Sequence, residues 1–181
     1  MNVPLKIGIV GPESTGKSQL GQELAQQLHG LYVPEYAREY VGRLERPYTY
    51  EDVCLIAEQN RRESNQQEGT GSFIFFDTEL IITKVWLDEV YHRRPAWLTE
   101  PVPADCRMDF YLLLSPDIAA EPDPLRENLD QASRERLFER YLSEIRATGR
   151  RYGVVTGQNK ERTANAIRLL REHYPTLIEQ Q

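Results

Sequence analysis

Cysteine is scarce in this chain: Cys54 and Cys106 are the two in 181 residues. They have no metal-ligand spacing and make no disulfide framework, so a zinc module and a stapled secreted scaffold are both excluded. A reduced, cytoplasmic setting is the expectation. Basic residues are also in deficit, with 22 Lys and Arg against 28 Asp and Glu and a net charge of −6. Binding a nucleic-acid backbone needs a basic footprint, so nucleic acid is not expected as a partner. A small phosphorylated ligand needs only a local positive site. No apolar run approaches the roughly 18 residues of a membrane helix. The start, Met1-Asn2-Val3-Pro4-Leu5-Lys6, lacks the basic and apolar regions of a signal peptide, so neither membrane nor export is expected. Repeats and low-complexity tracts are absent as well.

What is present is an alternation of short apolar runs and amphipathic stretches. Leu5–Val10, Leu31–Val33, Ser72–Phe76, Met108–Leu114 and Tyr152–Val155 read as strands. Ser72–Phe76 is apolar throughout, as expected of a parallel strand covered on both faces. Helical spacing marks Ser18–Leu28, Glu35–Leu44, Tyr50–Gln67, Asp77–Tyr91, Gln131–Thr148 and Lys160–His173. Pro95–Pro103 reads as irregular, and 115–129 as a proline-containing loop. Strands alternating with helices predict one three-layer α/β domain over 1–181, with a five-stranded parallel sheet.

Gly11-Pro12-Glu13-Ser14-Thr15-Gly16-Lys17-Ser18 matches the P-loop pattern between a strand and a helix. Glycines let the backbone curl until its N–H groups converge, and the helix N-terminus adds positive potential. The loop predicts binding of ATP or a related nucleoside triphosphate with Mg²⁺. Gly11, Glu13, Ser14, Thr15, Gly16, Lys17, Ser18 and Gln19 form the expected nucleotide site. Lys17 should reach the β/γ-phosphates, and the Ser18 hydroxyl should ligate the metal. Asp77 ends a strand, where a carboxylate can serve the metal or the substrate. Asp is also a favoured helix cap, and the two roles are compatible.

Glu35 follows the second strand, at the carboxyl edge where such sheets open their crevice. Transfer to a hydroxyl needs a carboxylate to orient it or take its proton, which makes Glu35 the candidate base. Arg38 lies on the same helical face. Tyr36, Tyr40, Trp86, Tyr91 and Trp97 could stack on an aromatic acceptor, and one or two of them are expected in its pocket. The segment 115–129 fits a lid that excludes water and brings Arg126 to the transferred phosphate. Arg134 and Arg136 are weaker candidates, as both could lie on a solvated helix face. Thr156-Gly157-Gln158-Asn159 follows the last strand, where Gly157 would let backbone approach the adenine.

Together these motifs resemble the ribosylnicotinamide kinase domain of NadR-type proteins and its relatives in the AAA-domain P-loop group. The resemblance rests on the Gly11–Ser18 loop, Pro34-Glu35-Tyr36-Ala37-Arg38-Glu39-Tyr40, Phe76-Asp77-Thr78-Glu79 and Asp123-Pro124-Leu125-Arg126-Glu127. It implies ATP-dependent phosphorylation of nicotinamide riboside to nicotinamide mononucleotide, in NAD synthesis. By motif match, Glu35 and Asp77 become acceptor-side carboxylates and Arg126 the lid cation. The residue before Glu35-Tyr36, often aromatic in NadR-type domains, is Pro34 here. Two other readings stay open: a kinase of another nucleoside or vitamin-like alcohol, and an ATP-dependent switch without a small-molecule acceptor.

Overall fold

The structure, a computed structural model, describes residues 3–65, 71–119 and 130–179. Five parallel strands lie in the order β2-β3-β1-β4-β5: β1 Leu5–Val10, β2 Leu31–Val33, β3 Phe73–Asp77, β4 Phe110–Leu114 and β5 Arg151–Val155. Among the described residues the α-helices are α1 (Lys17–Gln27), α2 (Tyr36–Gly42), α3 (Tyr50–Ser64), α4 (Leu80–Trp86), α5 (Gln131–Ala147), α6 (Asn159–His173) and α7 (Pro175–Glu179). The expected three-layer α/β domain is therefore the observed one.

Strand pleat divides the core. Ile7, Ile9, Phe73, Phe75, Phe110, Leu112 and Leu114 face α1 and α6 on one side. Ile74, Phe76, Tyr111 and Leu113 face α3, α4 and α5 on the other. Alternate side chains of a strand point to opposite faces, so two buried faces require the near-continuous apolar runs seen in the sequence.

Several boundaries differ from the sequence expectation. β3 runs through Asp77, which pairs with Ile9 in the ladder. Asp77 therefore does not open a helix; Glu79 caps α4, its Oε1 accepting from Ile81 N–H at 3.0 Å. The expected long helix Asp77–Tyr91 divides into α4 and a π-turn, Leu87–Tyr91. β4 begins at Phe110 rather than Met108, because the Met108 N–H goes to the Tyr111 hydroxyl at 3.1 Å instead of to the ladder. α7 was not expected; it starts on Pro175, whose missing N–H costs nothing at a first helical position.

Among the described residues, no helix is long and apolar enough to cross a membrane. Both cysteines are free.

Candidate active site

The P-loop joins β1 to α1, and its shape follows from its residues. A side chain at Gly11 would meet Leu114 Cβ and O at 3.0 Å, so glycine lets the loop leave the sheet close against β4 without displacing it. Gly16 takes φ 78° as the residue before α1, with no side chain capping the helix. The first N–H groups of α1 are thus left for a ligand, and the helix dipole favours an anion there. Thr15 Oγ1 donates to Pro12 O at 2.8 Å and ties the loop internally. Lys17 Nζ donates to Gly11 O at 2.9 Å and to Pro12 O at 3.0 Å.

Two buried arginines hold the loop from outside, and neither role was legible in advance. Arg134 of α5, expected on a solvated face, is 1% exposed. It donates to Glu13 O at 3.1 Å, Ser14 O at 3.2 Å and Ile118 O at 2.9 Å. Arg162 of α6 donates to Thr15 O at 3.1 Å and Gly157 O at 2.7 Å, and pairs with Asp117. Across a planar trans peptide the carbonyl and the next N–H point opposite ways. Drawing the carbonyls of Glu13, Ser14 and Thr15 outward therefore turns the N–H groups of Ser14, Thr15 and Gly16 inward. The arginines build the anion cradle that the glycines permit.

A cleft of about 360 Å³ runs from this loop to α2, α4 and α5. Gly11, Glu13, Ser14, Thr15, Gly16, Lys17, Ser18 and Gln19 line its loop end. Glu35, Arg38, Tyr48, Thr78 and Trp86 also line the cleft. Its size and mixed lining suit a small metabolite beside triphosphate. Glu35 forms a 3.6 Å pair with Arg38. Burial raises the Glu35 carboxyl above its ordinary range and Asp77 adds to this, while Lys17 and Arg38 pull it back. A carboxyl tuned upward in a cleft is suited to accept a proton near neutral pH.

Asp77 is 1% exposed and sits beneath the cleft rather than in its lining. Its Oδ2 accepts from the Tyr32 hydroxyl at 2.8 Å, and that hydroxyl is also bonded to Ser18. Asp77 Oδ1 and Thr78 Oγ1 are buried with no hydrogen-bond partner among the described residues. A hydroxyl at the start of α1 linked to a buried carboxylate with a spare oxygen is a hard oxygen donor set that fits Mg²⁺. No group of three acidic, histidine or cysteine residues able to hold a metal occurs among the described residues. Magnesium does not need one, because phosphates and water commonly complete its shell.

The aromatic expectations divide. Of the five aromatic residues proposed for the acceptor, Trp86 alone lines the cleft among the described residues. It meets Tyr48, which sequence reasoning missed, in an edge-to-face pair with centroids 4.8 Å apart. Tyr40 instead donates to Asp52 Oδ1 at 2.9 Å outside the lining, with Tyr36 5.8 Å away ring to ring. Tyr91 packs on Tyr50, and Trp97 lies under Arg61. Gly157 stands at φ 91° near the start of α6, its N–H donated to Asp117 Oδ2 at 2.8 Å. It too lies outside the cleft lining. Of the expected lid, 115–119 lies over the loop through Ile118; Arg126 lies outside the described residues.

The AAA domain family model matches residues 6–162, most of the chain. The chain belongs to that family. No curated protein matches it by sequence. Among solved structures, this AAA domain superposes on a NadR protein in complex with NR, with TM-score 0.74 and 22% identity, covering 99% of this chain and 52% of that one. A NadR protein bound to NAD and AMP-PNP gives TM-score 0.67 and 19% identity, covering 94% and 49%. The chain thus spans about half the length of those NadR chains. Deoxyadenosine kinase from M. mycoides gives TM-score 0.63 and 14% identity, covering 95% of this chain and all of that one. What these likenesses share is the fold.

Proposed function

We propose that this AAA domain is a P-loop small-molecule kinase that transfers the γ-phosphoryl of ATP to a hydroxyl of nicotinamide riboside. The observation that carries the reading is the single cleft that Lys17 and Ser18 of the loop line together with Glu35 and Arg38. A nucleotide switch needs no upward-tuned carboxylate opposite its phosphate loop. The superposition on NadR supports the choice of acceptor, as does the Tyr48–Trp86 pair, a surface suited to a flat cationic ring.

In this mechanism the N–H groups of residues 14–16 and Lys17 hold the triphosphate. Glu35 accepts the proton of the acceptor hydroxyl as its oxygen bonds to the γ-phosphorus. The bond from that phosphorus to the bridging oxygen breaks, and ADP leaves with the electron pair. Arg38 keeps Glu35 ionised and oriented until then. Ser18, with Asp77 behind it, would hold Mg²⁺, which when bound neutralises phosphate charge. Arg126 is the proposed closing cation.

The decisive experiment measures ADP release over a panel of nucleosides, with Glu35→Gln run beside the wild type. Nicotinamide riboside should stimulate turnover, and the variant should lose about 10²–10⁴ in kcat while still binding ATP. Turnover unaffected by any acceptor would sink the kinase reading in favour of the switch. A second reading, another nucleoside as acceptor, is favoured by the full-length superposition on deoxyadenosine kinase. Stimulation by such a nucleoside and not by nicotinamide riboside would establish it.

A further inference from the structure

Glu89 is a part of the cleft that the transfer chemistry leaves unused. It lies on the π-turn after α4 and lines the cleft with Trp86, Val90 and Tyr141. π-turns insert a residue and re-aim those that follow, and they recur at functional sites. Here the neighbouring Asp88 explains how the turn is held. Its Oδ2 meets Arg94 Nη1 at 3.0 Å, Arg140 Nη2 at 3.1 Å and Lys84 Nζ at 3.6 Å. Lys84 is fully buried and also pairs with Glu144 at 2.6 Å. Three cations on one carboxylate anchor Asp88 away from the cleft, so that its successors Glu89 and Val90 line it.

The charge balance of the cleft lining is negative. Glu13, Glu35 and Glu89 share it with two cations, Lys17 and Arg38, both of which act on Glu35. Glu89 is bonded to Arg136 at 2.5 Å, but both side chains are partly exposed, at 32% and 55%. An exposed pair of that kind is weak and open to competition. The field of Glu89 reaches inside: burial, then Glu13, Glu89 and Glu35, raise the Tyr141 hydroxyl above its ordinary range.

We infer that Glu89 is the residue by which the cleft selects a positively charged acceptor ring over an uncharged ring of the same shape. The inference rests on the kinase reading with nicotinamide riboside as acceptor. It goes further by assigning discrimination to ring charge and to one carboxylate. A cation beside Trp86 gains from the ring face and from Glu89 together. An uncharged ring gains only the packing. Arg136 opposes the effect by drawing Glu89 outward.

The test uses nicotinamide riboside and its uncharged 1,4-dihydro form, with both binding and turnover measured for wild type, Glu89→Gln and Arg136→Gln. Wild type should favour the cation. Glu89→Gln should lower affinity and kcat/KM for the cation roughly five- to tenfold, and leave the dihydro form within about twofold. Arg136→Gln should widen the preference. Equal losses for both ligands, or no loss for either, would overturn the assignment. Absence of turnover with the wild type would count against the kinase reading alone. The ratio of binding constants for the two ligands would then still decide the role of Glu89.

Discussion

Replacing Lys84 with Met tests whether the ion cluster behind the acceptor end is a stability element. Lys84 is 0% exposed, its ammonium 2.6 Å from Glu144 and 3.6 Å from Asp88. The variant keeps the methylene stem and removes the charge. Asp88 retains Arg94 and Arg140, but Glu144 is 3% exposed and, among the described residues, keeps only Arg140 at 3.2 Å. One of its oxygens already lacks a partner among the described residues. Breaking a buried pair from one side costs about 3–5 kcal/mol, because a charge is left buried. With Arg140 remaining, the lower end, about 3 kcal/mol, is expected. For a domain of this size that is a drop in Tm of about 6–12 °C. The pair Lys84→Met with Glu144→Leu should be less damaging than Lys84→Met alone, since no uncompensated carboxylate remains. Thermal melts and urea unfolding read both. A single variant within about 0.5 kcal/mol of wild type, or a double variant worse than the single, would refute the reasoning.

Two further outcomes follow from the same geometry. Lys17→Ala should lower kcat by at least about 10²–10³, as expected when a charge-stabilising group is removed from transferring phosphate; unchanged turnover would remove Lys17 from the chemistry. Burial raises the Glu79 carboxyl from the ordinary 4.5 to about 8. The folded state then holds a proton that the unfolded chain releases. Its contribution is therefore full below about 4.5 and is lost as pH rises through about 8. Unfolding titrations at several pH values should show Glu79→Gln with a flatter decline across that window, and an identical slope in the two proteins would contradict it.

Sequence reading succeeded where the chemistry is local. The P-loop occupies eight consecutive residues between a strand and a helix, so motif and context could be read together. Strand order could not be read, because any pairing of five apolar runs buries similar surface; the observed order is set by which crossovers pack α1 and α6 on one face and α3, α4 and α5 on the other. Asp77 was visible as a strand end, but Asp is also a favoured cap residue, and only the β1–β3 ladder shows that it stays in the strand while Glu79, two residues on, caps the helix.

The roles that were not read, that of Arg134 among them although it was a weaker candidate, act across long sequence separations. Arg134 is 120 residues from Ser14 and Arg162 is 147 from Thr15. A signal for Arg134 did exist: it shares a helical face with Leu137 and Tyr141, both buried. A charged residue in line with a core stripe reads as solvated until something is found for its donors to bind. The sequence by itself determined the fold class, the phosphate loop and the carboxylate that follows the second strand. Tertiary structure decided what those residues face: two distant arginines turn the loop's N–H groups inward, and a buried ion cluster holds the turn that lines the acceptor end. Covalent neighbours dictate local conformation, whereas a hydrogen bond or ion pair depends on which surfaces the packed core brings together.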